Sequence, residues 1–391
     1  MRGRLAVALL LVASLAFAAH ATRYLDHQND DAYITFRYAR FLALGRGPYF
    51  NPGEHVEGYT NFLLMLLSSL VFAAGGEAAV PPAAKAIGIV SGLACVAASF
   101  VLARRLLGPA LGDRAAQVGA ATAALLLAGA ESFALNATSG LETTLFAALV
   151  AVGVLLGMAS LETGRWRGSG LAFAAACLTR PEGPLLAGGF WVGAALVAAR
   201  GGAGRDTRAT LRALAWDAVS LAVVVGGHLA FRIAAYDGEW LPNTFYAKIG
   251  GSGVVPTRAY IQAGTLLPFL GWAGAAVAAA GLGIEKRLWW SACPLVTTAG
   301  LAALLPVFTG TDWMPGWRLV VPGLPLVAVL VAVGWTVCLA RLERYARGAL
   351  LVLPLLAIPA WWSQAEARGV FRTVLDARAR GVETALRPLA L

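Results

Sequence analysis

Apolar runs of membrane-spanning length recur from one end of this chain to the other, separated by short basic or turn-rich segments. Hydrocarbon offers a peptide group no hydrogen-bond partner, so each run is read as a helix that satisfies its own backbone. With 59% hydrophobic and 13% charged residues the chain is too apolar for an ordinary soluble protein. Its 391 residues would make two or three soluble domains. They are better read as an all-α polytopic bundle of about 11 spanning or half-spanning helices.

A net charge of +10 in a soluble chain would suggest nucleic acid. Here the arginines fall in short loops between apolar runs, where they act as orientation signals, so no nucleic-acid partner is expected. Lysine occurs only at Lys85, Lys248 and Lys286. Cys95, Cys177, Cys293 and Cys338 lie inside apolar runs without metal-ligand spacing and are expected as buried free thiols. The N-terminal tract is read as a retained span over 5–20. The alternative is a signal peptide cleaved near Ala19-His20-Ala21, and both leave the next segment outside.

Basic loops face the cytoplasm. That rule places inside Arg104/Arg105/Arg114, 162–169, 200–212, 285–287 and 341–347. One run breaks the alternation: Phe62 to Ala74 is too short to cross ~30 Å at about 1.5 Å per residue. Read as an interfacial or re-entrant helix, it lets every basic loop fall inside. Other helices are expected over 84–103, 115–131, 143–160, 170–179, 184–199, 214–235, 262–283, 291–308, 319–340 and 347–362. The short pair 170–179 and 184–199 forms a hairpin around "LTRPEG", a charged turn tolerated at membrane depth only against a protein cavity. Residues 1–362 thus form the membrane module, with an external loop over 21–61, and 363–391 a short external tail.

The unusual polar residues collect in the outward segments: 29–61, "NATSGLET" (136–143), "LTRPEG" (178–183), "DGEWLPNTFYAKIG" (237–250) and "TGTDWMPGWR" (309–318). In the first of these, Asp30 and Asp31 open a helix-patterned stretch in which Ile34, Tyr38, Phe41 and Leu42 share a face and Gly45 ends it. Either one aspartate caps that helix and the other is merely solvated, or one caps while the other faces a cavity as a general base. Arg37 returns to the face of Asp30 and is placed to orient it or to contact an anion. Such a base suits inverting glycosyl transfer, in which a carboxylate takes the acceptor proton while a phosphate departs from the opposite ring face. Cations must then hold the departing charge. Lys248 and Arg318 are the natural candidates; Arg180 beside Glu182 is either phosphate-facing or a buried ion pair.

Tyr33, Tyr59, Trp240, Tyr246, Trp313 and Trp317 are either sugar-stacking residues or an interfacial belt. Asn61 and Asn243, with Glu57, Glu142, Glu182 and Asp312, are candidate substrate contacts. Asp30, Asp31, Glu57, Glu142, Glu182 and Asp312 are candidate ligands for a divalent cation, with no metal assigned. His20, His27, His55 and His228 lack metal-ligand spacing.

The run "DDAYITFRYARFLALGRGPYFNPGEHVEGYTN", with "SGLETTLF", "LTRPEG", "LPNTFYAK" and "TGTDWMPGWRLVVPGLP", resembles integral-membrane glycosyltransferases of the GT-C type. In particular it is similar to mycobacterial-type terminal β-(1→2) arabinofuranosyltransferases and their bacterial relatives, over residues 25–330. The resemblance implies a polyprenyl-phosphate sugar donor and an extracytoplasmic glycan or lipid-linked acceptor. It also implies juxtamembrane helices in the first external loop, and Asp30 or Asp31 as catalytic base, with Asp30 preferred. The expected setting is a bacterial cell membrane with the site facing outward. A transporter or flippase would show polar residues on both sides of the midplane and repeat symmetry, whereas here the polar chemistry is one-sided. A non-catalytic GT-C-derived assembly protein is the third reading, against which stand the Asp-Asp pair and Lys248.

Overall fold

The computed structural model describes residues 2–200, 207–244, 246, 274–309 and 316–341, in which every element is helical. α1 (Arg2–Ala21) turns Ala6, Ala13, Phe17 and Ala21 inward at helical spacing. After a 3₁₀ turn, α2 (Ala32–Ala43) and α3 (Phe62–Gly75) pack on each other. α3 has 14 residues. At about 21 Å it falls short of the ~30 Å hydrocarbon core, as its apolar run predicts.

α4 (Val80–Leu111) is the central helix and touches α1, α3, α5 and α7. It is longer than the expected 84–103. Pro81 and Pro82 account for the added start, since an N–H missing from the first turn breaks no helical bond. α5 (Asp113–Gly129) leads into α6 (Glu131–Ala137), bent from it by 64°. The expected 115–131 helix therefore ends a little early, and a short buried helix that the apolar pattern did not separate follows it. α7 (Thr143–Thr163) matches expectation and runs to Gly164.

α8 (Ser169–Thr179) and α9 (Gly183–Ala199) form the expected hairpin around Arg180, Pro181 and Glu182. Its tightness rests on Gly183, where a Cβ would lie 2.6 Å from the Cys177 Cα. α10 (Thr207–Ala235) follows, then α11 (Gly274–Ile284), α12 (Lys286–Thr309) and α13 (Leu324–Arg341). α12 packs along α9, where Gly193 lets Pro294 approach closely. Residues 347–362 and the 363–391 tail lie outside the described residues.

Among the described residues six helices are long and apolar enough to cross a membrane, or seven if the bent α5–α6 pair is one span. Four shorter apolar helices accompany them: α3, α8, α9 and α11. Phe133, Phe146, Phe173 and Phe190 fill one continuous core with the small residues of α4, α5 and α7. The described cysteines are free, and Cys95, Cys293 and Cys338 are buried. Basic segments expected on one side meet at one end of the bundle. There Arg104 pairs with Asp113 at 3.1 Å, Arg105 with Glu162 at 3.5 Å and Arg341 with Glu285 at 2.9 Å. The other end of α4 carries the loops: Lys85 donates to the carbonyl of Leu25.

Candidate functional site

Asn29 decides how Asp30 and Asp31 are presented. Its backbone N–H donates to the Ser139 carbonyl at 2.9 Å, and its Oδ1 accepts the Asp31 N–H at 3.0 Å. The first turn is already closed here, with Ala32 N–H on the Asn29 carbonyl and Tyr33 N–H on that of Asp30. Asp31 holds the position before α2, but its side chain makes no capping bond. The expectation that an aspartate caps the helix is thus corrected: the buried Asn29, two residues before Asp31, performs that task. Asp30 is exposed, and its Oδ1 shares the Asp31 N–H at 3.0 Å. The inward face of α2 is Ala32, Thr35, Phe36 and Ala39 with Tyr38, while Ile34 is exposed.

Two other polar segments are tied to this turn, 136–143 directly and the one at Gly316 through Asn136. Gln28 donates to the Ser139 carbonyl at 3.3 Å, and Thr138 Oγ1 donates to the Tyr24 carbonyl at 2.9 Å. Gly140 sits at φ +78°, and a Cβ there would lie 2.2 Å from Gln28 Nε2, so the close approach requires glycine. Asn136, on α6, donates to the Gly316 carbonyl at 2.7 Å, and Ser139 Oγ to the Asn136 carbonyl at 2.9 Å. These bonds hold Gly316, two residues before Arg318, against the 136–140 segment on which Asn29 docks. Trp317, just before it, has φ +52°, a conformation non-glycine residues adopt only under local constraint.

Below this face runs a buried polar chain. Thr35 Oγ1 donates to Asn61 Oδ1 (3.0 Å), and Asn61 Nδ2 to Glu142 Oε2 (2.9 Å). Arg180 NH1 donates to Glu142 Oε1 (2.9 Å), and its Nε and NH2 to the two oxygens of Glu182 (3.2 Å each). Of the two readings of Arg180, the buried ion pair is what these contacts display, and the pair extends to a second carboxylate. α2, the start of α3, the 138–142 loop and the α8–α9 hairpin are joined through these side chains.

A second knot holds the rim. Arg232, in the last turn of α10, donates to Glu57 through Nε (2.6 Å) and NH2 (3.2 Å), and to the Trp240 carbonyl (3.2 Å). Burial pushes the Glu57 carboxyl above its usual range, opposed by the hydrogen bonds and charge of Arg232. The Asn243 N–H donates to the Glu57 carbonyl at 2.9 Å. Tyr59, a candidate for a sugar face, is enclosed with Tyr38, Ala39 and Met65, and its hydroxyl meets that of Tyr236 at 3.0 Å. Burial raises the Tyr59 and Tyr236 hydroxyls above the ordinary tyrosine range.

Arg37 does not turn to Asp30. Its Nε donates to the Phe50 carbonyl (2.6 Å) and its NH2 to Asn51 (3.1 Å), with the guanidinium over the Phe50 ring at 4.7 Å. It braces the 49–51 turn. Tyr33 is exposed, edge-on to Phe36 at 5.5 Å. Tyr246 is exposed and donates to Glu239 at 3.1 Å. Trp240 is exposed on the same rim. Lys248, Asp312 and Trp313 lie outside the described residues. No three of His, Cys, Asp or Glu among the described residues gather as metal ligands. Within the proposed carboxylate set, Glu57 engages Arg232, and Glu142 and Glu182 share Arg180.

Sequence reasoning missed Arg232, Asn29, Thr35 and the pair of His55 with Asp237 at 3.0 Å. Arg232 did leave a signal: an arginine at the outward end of an apolar helix runs against the positive-inside rule. Asn29 left none beyond its type.

No protein-family model matches the chain. It is 33% identical over 236 residues to the terminal β-(1→2)-arabinofuranosyltransferase of Mycobacterium tuberculosis. That alignment covers 56% of this chain and 34% of the relative, so the chain spans about a third of the relative's length. Its fold is similar to ArnT from Cupriavidus metallidurans bound to undecaprenyl phosphate, with a TM-score of 0.58 at 20% identity over 88% of this chain and 62% of that one. It is also similar to the Archaeoglobus fulgidus oligosaccharyltransferase in complex with Zn and sulfate, with a TM-score of 0.55 at 15% identity over 92% of this chain and 52% of that one. Both structural neighbours are GT-C glycosyltransferases, and the chain is a multi-pass membrane protein with the GT-C fold.

Proposed function

We propose that this protein is an inverting glycosyltransferase. It takes a sugar, arabinofuranose in the first instance, from a polyprenyl-phosphate donor and passes it to a glycan or lipid-linked acceptor outside the cell membrane, with Asp30 as general base. The observation that carries the reading is the presentation of Asp30. Asn29 does the capping, leaving an exposed carboxylate on a turn braced by the 136–143 segment and, through Asn136, by the one at Gly316. Support also comes from the likeness to an arabinofuranosyltransferase and from a fold shared with an enzyme crystallised with undecaprenyl phosphate.

In the reaction the acceptor oxygen bonds to the anomeric carbon while its proton passes to the Asp30 carboxylate. The bond from that carbon to the phosphate oxygen breaks, and its electron pair leaves with polyprenyl phosphate. Arg318, and Lys248 from the segment after α10, are assigned to the growing phosphate charge. Arg180 and Glu142 are assigned to positioning. The enzyme works at the outer face of the bacterial cell membrane, where lipid-borne donor and water-borne acceptor meet.

The test is sugar transfer in membranes from polyprenyl-phosphate arabinofuranose, mannose and glucose, comparing wild type with Asp30→Asn and Asp31→Asn at equal expression. Asp30→Asn is expected to lower turnover by roughly 10²–10⁴-fold with donor binding retained. Asp31→Asn is expected to lower it less. Equal turnover in all variants would remove Asp30 from the mechanism.

A further inference from the structure

The basic end of the bundle contains a cavity of about 350 Å³ between α4, α7, α9 and α12, remote from the loops that carry Asp30. Arg105 and Arg104 lie some 20 residues along α4 from Lys85, which bonds to the outer loop, a separation of about 30 Å. The lining combines apolar walls, among them Leu161 and Val197, with Arg105, Arg287, Glu162 and the indole of Trp290. Two arginines face one glutamate, so the lining carries one more cation than anion. Arg105 is matched with Glu162 at 3.5 Å. Arg287 is exposed, and no acidic group pairs with its guanidinium among the described residues. Arg200 adds a further positive charge, stacked over Trp290 at 4.2 Å. Lys286 and Arg287 also open α12, and Glu285, just before them, is engaged by Arg341 at 2.9 Å rather than by Arg287.

An apolar cleft between helices, rimmed by Arg287 without an acidic partner, by the Arg105–Glu162 pair and by an indole at the basic end, has the chemistry of a lipid phosphate site. We propose that this cavity binds the headgroup of one anionic phospholipid of the cytoplasmic leaflet. Its phosphodiester would lie at Arg287 and Arg105, with the first carbons of its chains against Leu161 and Val197. A free phosphate would leave those apolar walls wet, and a zwitterionic headgroup would bring a cation to a site already positive. The inference is independent of the sugar-transfer reading, since it uses none of the same residues.

The test titrates purified, delipidated full-length protein with phosphatidylglycerol or phosphatidylcholine and reads retained lipid by native mass spectrometry. Wild type is expected to hold one phosphatidylglycerol in preference to phosphatidylcholine. Arg287→Gln should weaken it about fivefold, and the Arg105→Gln/Arg287→Gln pair about 25-fold. Arg4→Gln, which removes a cation at the same end but off the cavity, should leave binding unchanged. Should the double variant lose its thermal transition, the exposed Arg287→Gln still decides the matter. Equal retention of both lipids, no weakening in Arg287→Gln, equal weakening in Arg4→Gln, or displacement by inorganic phosphate would each overturn the proposal. So would displacement of phosphatidylglycerol by an equal concentration of polyprenyl phosphate, which would make the cavity a site for the isoprenoid lipid instead.

Discussion

The two ends of the bundle use the same residue types to opposite effect. At the basic end arginines meet carboxylates in half-open pairs. Arg104 and Asp113 keep 41% and 35% of their side chains exposed. At the loop end Arg180 and Glu142 keep 10% and 7%, and both take part in bonds that reach other elements. An exposed pair gains little over hydration, and its charges serve mainly to orient the chain in the bilayer. An enclosed pair gains little as a pair, yet losing one partner strands the other, which forces the joined segments to stay in register. One end carries loosely held basic pairs, and the other fixes where the loops around Asp30 sit.

The sharpest way to break that contrast is to delete one arginine from each end. Arg180→Ala should lower stability by about 3–5 kcal/mol, because it strands Glu142 and Glu182. Arg104→Ala should cost less than about 1 kcal/mol. Thermal unfolding in detergent reads both, and equal losses would erase the distinction. Arg232→Ala comes next: it leaves the enclosed Glu57 unpaired, at a cost of up to about 3–5 kcal/mol, moderated because burial already favours the neutral acid. Limited proteolysis should then cut within 46–58 or 236–243 while α4 and α7 stay protected, and unchanged protection of the rim would count against the knot.

Asn29→Ala should cost about 1 kcal/mol, the usual loss on removing a cap, and Asn29→Asp should restore most of it. If Asn29→Ala also lowers transfer more than it lowers stability, the turn presents Asp30 as argued. The smallest effect concerns His27. Burial, then the charge of Lys85, holds its pKa below the ordinary 6.5. The folded state therefore prefers neutral imidazole: this stability is present above pH 6.5 and is lost as pH falls below it and through the lower folded-state pKa. A melting series across this range should decline on the acid side in wild type and flatten there in His27→Gln.

These comparisons also separate what was legible along the chain from what was not. The bundle, the short α3, the α8–α9 hairpin and the one-sided concentration of polar residues could be read because length and apolarity are properties of contiguous residues. A run either can or cannot cover ~30 Å, whatever surrounds it. The candidate residues were mostly recognised as polar outliers in outward loops, and Glu142 and Arg180 were indeed brought together by the fold. Their partners were not readable. Glu57 meets Arg232 across 175 positions, and Tyr59 meets Tyr236 across 177. No periodicity links residues so far apart. The same holds for Asn29: its choice over Asp31 as the cap follows from its docking on Ser139, a contact across the first external loop and the end of α6. Sequence alone determined that this is a helical membrane protein with its unusual polar groups on one face, since burial in hydrocarbon restricts each segment independently. Only the tertiary structure decided which of those groups are enclosed as braces and which, like Asp30, stay open, since that depends on which segments the packed helices bring within hydrogen-bond reach.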